Sequence, residues 1–152
     1  VIIIVFGDPA PQGSKKFVGM AGGHGVLVES SKRVKPWRQD IVKAAKEAMA
    51  GLAMFDGPLQ VKMVFTLPKP SSAPKRKRTW PNKKPDVSKL ARSTEDALVT
   101  AGTIRDDSRI VEYSRLAKVF PGEDPDALSS PGVLIEIHCL DQEAPRQLAA
   151  VA

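Results

Sequence analysis

The stretch PKPSSAPKRKRTWPNKKP, residues 68–85, limits the folds open to this chain more than any other. It holds five prolines, each lacking a backbone donor and fixed in φ, so neither a helix nor a central strand can run through it. The elements on either side must be joined by a long irregular loop, expected to be mobile. The loop is also cationic. From Lys69 to Arg92 there are nine basic residues (Lys69, Lys75, Arg76, Lys77, Arg78, Lys83, Lys84, Lys89 and Arg92) against one acid, Asp86. That local balance of +8 exceeds the +6 of the whole chain. A polyanionic partner is implied.

Length and composition narrow the class. With 152 residues, 42% of them hydrophobic, the chain suits one domain with a real core. No apolar run approaches the ~20 residues of a membrane span. VIIIVF at the start is short and lacks a basic flank, so it reads as a buried central strand rather than a signal peptide. Cys139 is the only cysteine, which excludes an intrachain disulfide and favours a reducing, cytoplasmic setting.

Periodicity supplies the other elements. The turn-rich segment 7–16 is either a plain connection or a loop that lays Lys15 and Lys16 on a phosphate backbone. Two short strand-like pieces flank AGGHG as a hairpin, with His24 an exposed loop residue. After Pro36, the residues Trp37, Ile41, Val42, Ala45, Ala48, Met49 and Leu52 recur at helical spacing, predicting about four turns closed near Gly51, with Trp37 as a core anchor. Leu59–Leu67 alternates as a strand with one buried face. Ser88 can cap a second helix that stops at Gly102 and brings Ser88, Arg92, Glu95 and Asp96 near one face. Strands follow at 109–120 and 133–140, separated by the acidic loop 121–131, and residues 141–152 read as an exposed tail. The order β–β–β–α–β–(basic loop)–α–β–β predicts a single α+β domain over residues 1–140. Two main helices would pack on a mixed sheet, with the basic loop at 67–85.

Carboxylates beside a cationic arm point to chemistry on a phosphate. Phosphodiester hydrolysis needs an activated water, stabilisation of the charged transition state and a neutralised leaving oxygen, which Mg²⁺ or Mn²⁺ held by Asp or Glu supplies. Asp86 at a helix start and Asp106–Asp107 at a strand start are the candidate ligands, if the helix packs back on the sheet. Arg92, one turn beyond Ser88, is placed to hold the scissile phosphate. The KRKR run (Lys75, Arg76, Lys77, Arg78) with Lys83, Lys84 and Lys89 would contact the nucleic-acid backbone, and Trp80 either stacks on an unpaired base or packs on the domain surface. An RNA-recognition sheet is disfavoured, because the few aromatics form no paired platform.

The segment KPDVSKLARSTEDALVTAGTIRDDSRIVEYSRLAKVF resembles the signature of the RusA family of Holliday-junction resolvases. That signature runs P-D-x-D-[NK]-x-x-[KR], then D-A-L, a short gap, D-D-x-[QR]-V, and a basic residue in the next strand. The matches are Pro85–Asp86, Lys89, Arg92, Asp96–Ala97–Leu98, Asp106–Asp107, Arg109–Ile110 and Lys118. The N-terminal Gly7-x-Pro9-x-Pro11-Gln12-Gly13-Ser14-Lys15 and the Lys35-Pro36-Trp37-Arg38 start are similar to phage and prophage members. The likeness spans roughly residues 3 to 140. It implies a homodimeric, Mg²⁺-dependent endonuclease (Mn²⁺ a plausible substitute) that cuts four-way or branched DNA in a bacterial cytoplasm. It also implies metal binding by Asp86 and Asp107 with Asp106 beside them, Arg92 in the place of a basic catalytic residue, and Lys118 on DNA. Asp96 also matches a family position, equally as a structural cap or salt-bridge partner and as a ligand.

One position departs from the pattern. Ser88 stands where the family carries its second aspartate, and a neutral hydroxyl is a weaker ligand for a hard cation. Three accounts are open: a substituted and disabled chain, a natural variant that binds metal through water, or a protein that binds junctions without cutting them.

Overall fold

The computed structural model describes residues 1–12, 15–29 and 32–142. The strands are β1 (Ile2–Phe6), β2 (Lys15–Ala21), β3 (His24–Glu29), β4 (Leu59–Thr66), β5 (Ile110–Val119) and β6 (Gly132–Cys139); the helices are α1 (Val34–Ala48) and α2 (Val87–Thr100). Short 3₁₀ turns occupy Asp107–Arg109 and Leu140–Gln142. The main sheet has the order β1-β6-β4-β5. β4 pairs antiparallel with β6 and parallel with β5, which makes the sheet mixed. β2 and β3 form a separate ribbon turned at Gly22 and Gly23. Their positive φ values of 58° and 80° suit a two-residue hairpin turn that side chains with a Cβ adopt poorly.

The core follows from alternation. Ile3 and Val5, then Leu59, Val61, Met63 and Phe65, then Val133, Ile135 and Ile137 are buried with Trp37, Ile41 and Ala45 of α1 and Leu90, Ala97 and Leu98 of α2. Strand positions two apart thus face one layer that holds both helices. α2 closes as its sequence predicts. Gly102 takes φ +73°, its N–H donates to the Val99 carbonyl, and the Thr103 N–H donates to that of Leu98. This is the double bond pattern of a glycine-terminated helix.

Four expectations require correction. Val1–Phe6 is not a central strand: β1 is an edge strand, and Ile2, Ile4 and Phe6 are 62%, 49% and 56% exposed. A β-branched run encodes extended backbone, and nothing in it says how many faces are covered. Ser88 is not the helix cap. Asp86 holds that position in an extended conformation, and α2 starts at Val87. Leu52 lies beyond α1 and is exposed. β4 is buried on both faces in its second half, at Val64, Phe65 and Thr66.

That second face is connected to the acidic loop 121–131. The Leu128 N–H donates to Thr66 Oγ1 at 2.8 Å, and Asp126 receives Lys62 at 2.7 Å. Gly132 follows directly. A Cβ there would lie 2.0 Å from the Val5 carbonyl oxygen, so glycine is what lets β6 enter beside β1. Asp124 is the loop's hub: its side chain is 3% exposed, and it receives Arg115 at 2.7 Å and Arg78 at 3.0 Å. Arg115 hydrogen bonding holds the Asp124 carboxyl well below the usual carboxylate range, against the opposing cost of burial.

A lowered carboxyl contributes stability above the ordinary carboxylate range and loses it as pH falls. Asp124→Asn should therefore destabilise the protein by about 2 kcal/mol at neutral pH, the partial exposure of both arginines keeping the figure modest. The gap from the parent should narrow on acidification, as thermal melts of both proteins across pH would record.

Candidate nucleic-acid interface and metal centre

The residues of the expected site lie along α2 and its two ends. At its start, the Lys84–Pro85 bond is cis and Asp86 takes the cap position without a side-chain capping bond. Its carboxylate lies 3.7 Å from Lys89 Nζ. Lys118, expected on DNA, reaches across from β5 and donates to the Lys83 and Pro85 carbonyls at 2.8 and 2.9 Å. It thereby anchors the backbone that delivers Asp86. Ser88 and Arg92 are exposed on the first turns of α2.

At the other end, the turn Asp107–Arg109 packs against α2. Asp106 caps that turn by accepting the Ser108 N–H at 2.8 Å, and this bonding lowers its pKa. Asp107 is exposed in the turn. Its charge acts on Glu95 and Tyr113, a pair the sequence reading did not connect: Tyr113 Oη donates to Glu95 Oε1. Burial raises the Glu95 pKa first, and the neighbouring charges of Asp107 and Asp96 raise it further, while the Tyr113 hydrogen bond and Arg92 oppose. Burial and the Glu95 bond push the Tyr113 phenol up. The spacing Ser88, Arg92, Glu95 was the available signal for the glutamate. The tyrosine, distant in sequence, offered none.

Asp96 is engaged by the N-terminal loop. Gln12 Nε2 donates to it at 2.5 Å, while the Gln12 N–H donates to the Lys89 carbonyl and Ser93 Oγ donates to the Ala10 carbonyl. Residues 10–12 of the N-terminal loop are therefore docked along α2. Lys15 and Lys16 follow on β2, but their side chains lie outside the described residues.

The cationic loop is partly neutralised from within. Lys69 pairs with Glu123 at 3.1 Å and Arg78 with Asp124. Lys75, Arg76, Lys77, Lys83 and Lys84 remain exposed. Trp80 is 64% exposed and takes no place in the core.

Among the described residues no three His, Cys, Asp or Glu side chains gather around one point. Asp86 and Asp107, expected to converge on one ion, instead stand at opposite ends of the 14-residue α2, about 20 Å of helix apart. Ligands of a hard cation lie within about 2–2.6 Å of it, so a single copy of the chain does not close a shared site around these two carboxylates.

A raised carboxyl makes the native state hold its proton longer, so its contribution is greatest in acid and is lost as pH rises. For ion-free protein, denaturant melts should show a stability decline through and above the ordinary carboxylate range that Glu95→Gln removes, with Tyr113 still able to donate to the amide.

No helix is long and apolar enough to cross a membrane among the described residues. No curated protein matches the chain. The family model described as endodeoxyribonuclease RusA matches residues 7–138, a span that takes in the docked N-terminal loop, the basic loop, α2, the Asp106–Asp107 turn and most of the last strand. The chain belongs to the RusA endodeoxyribonuclease family.

Proposed function

We propose that the protein is a structure-selective endonuclease that resolves Holliday junctions and related branched DNA by divalent-ion-dependent phosphodiester hydrolysis. One observation carries the reading: the loop richest in cations runs directly into Asp86 at the cap of α2, while Asp107 sits in the turn packed on the same helix. Asp86 and Asp107 would hold Mg²⁺ jointly only where a second copy brings one protomer's Asp86 to the other's Asp107, with Asp106 committed to capping the Asp107 turn. The bound ion would supply charge neutralisation at the phosphate and a more acidic water.

The chain's own residues do the rest. Lys75, Arg76, Lys77, Lys83 and Lys84 draw in and position the phosphate backbone. The Arg92 guanidinium is exposed on α2, where it can donate to the scissile phosphate as negative charge accumulates. Lys118 acts as a positioning residue through the carbonyls it holds on either side of Lys84. Two copies related by a two-fold axis would cut paired strands symmetrically, so a homodimer is the working assembly.

Ser88 favours a second reading, a junction-binding protein whose acidic site is disabled. Nicking of a synthetic four-way junction under a Mg²⁺ titration separates the two. The nuclease reading expects chelation to abolish cutting, and Asp86→Asn or Asp107→Asn to reduce it by at least about 100-fold with junction affinity retained. It also expects Ser88→Asp to raise the rate. Absence of cutting at every Mg²⁺ concentration, in both the parent and Ser88→Asp, would establish the binding-only reading instead.

The loop makes its own prediction. Replacing Lys75, Arg76 and Lys77 by Ala should reduce the slope of log affinity against log salt by about 2–3, near one per lost phosphate contact. Adding Arg78→Ala should cost stability more than slope, because Asp124 already engages that guanidinium. An unchanged slope in the triple variant would remove the loop from the DNA interface.

A further inference from the structure

The chain leaves β1, β4 and β5 at the same edge of the sheet, where Phe6, Gly132, Thr66 and Val119 stand in one cross-strand row. Beyond that row the segments 8–9, 67–73 and 79–85, with Arg33 and Phe120, enclose a cavity of about 410 Å³. This is within the size range of small-ligand clefts. Its chemistry is mixed in a particular way. Trp80, Phe120 and proline rings provide apolar planes, Asp8 and Asn82 provide polar edges, and Arg33, Lys83 and Lys84 provide cations. A planar ring with hydrogen-bonding edges, joined to phosphates, matches all three.

The exposed indole is held in place. The Arg78 guanidinium lies over it, 5.0 Å from the ring centroid, and is itself tied to Asp124, which Arg115 fixes from β5. On one side of Trp80, the Thr79 N–H donates to Glu123 at 2.8 Å. On the other, the Asn82 N–H donates to the Trp80 carbonyl at 2.9 Å. An aromatic already immobilised loses little further freedom when a ring stacks on it. The acidic loop thus holds out to solvent an aromatic surface that core packing does not use.

We propose that this cavity is a subsite for one unpaired nucleotide of the DNA, its base stacked on Trp80 and its flanking phosphates on Lys83 and Lys84. The inference rests on the DNA-processing reading above and specifies which feature of a branch is recognised. Lys83 and Lys84 lead through Pro85 straight to Asp86, so a nucleotide seated here sets the strand position relative to the acidic residues. Base–aromatic stacking tolerates any base, so the subsite would select for an unpaired nucleotide rather than for a sequence.

The test compares two synthetic four-way junctions, one fully paired and one with a single unpaired nucleotide at the crossover, using affinity and tryptophan emission. Trp37 is buried, and Trp80→Phe supplies the emission baseline. The parent should bind the unpaired form about tenfold more tightly, the size of one base stack, with Trp80 emission perturbed. Trp80→Ala should abolish the preference and Trp80→Phe should keep part of it. Equal affinities for the two junctions, or a preference that survives Trp80→Ala, would overturn the subsite even where Mg²⁺-dependent cutting persists. A Trp80-dependent preference without cutting at any Mg²⁺ concentration would support the subsite and overturn the nuclease reading instead.

Discussion

Parallel pairing of β4 with β5, from Leu59 opposite Ile110 to Thr66 opposite Val119, decides where everything else can lie. Parallel neighbours cannot be joined by a tight turn, so the chain must travel from the end of one strand back to the start of the next. That journey is residues 67–109. The first part cannot be helix because of its prolines, and the second must bury Leu90, Ala91, Ala97 and Leu98 against the sheet. The cationic loop therefore opens at the carboxyl edge of β4. α2 carries the chain back across the layer, and the Asp106–Asp107 turn closes the crossover. Asp86 and Asp107 are therefore held at opposite ends of one return path, a 14-residue helix apart.

A loop with this charge would repel itself, and the acidic segment 121–131 answers that problem. Glu123, Asp124 and Asp126 receive Lys69, Arg78, Arg115 and Lys62. The pairing is selective. It engages the cations at the base of the loop and beside the sheet, leaving Lys75, Arg76 and Lys77 to solvent. Counting charges along the chain assigned all of KRKR to DNA. The fold instead gives Arg78 to Asp124 and Trp80, because the segment after β5 returns beneath the loop on its way to β6.

Local pattern carried much of this structure. Helical spacing in α1, the glycine stop of α2, alternation in β4 and the order of elements were legible because each is set by residues within a few positions of one another. What was not legible depends on remote pairing. VIIIVF has the composition of a central strand, yet its place at the edge is set by β6, more than a hundred residues away. The role of PGEDPDALSSP is invisible without the basic residues it meets. The site divides the same way. Asp86, Ser88, Arg92 and the aspartate pair were marked by their spacing, whereas the Tyr113–Glu95 contact and the anchoring of Lys83 and Pro85 by Lys118 required strands to be placed.

Ser88 is best understood through the helix it sits on. The start of α2 carries the positive end of the helix dipole, with no acidic side chain in the first turn. Asp86 is the single carboxylate there, and it is already close to Lys89. With serine at 88, this end of the helix is balanced toward holding a phosphate. With aspartate, it would be balanced toward holding a cation between carboxylate and phosphate. Asp107 and Glu95 are untouched by that exchange, so the far end of α2 keeps its negative character either way. An exchange at this one residue would therefore change the charge balance at the start of the helix, while the loop and the fold around it stay the same.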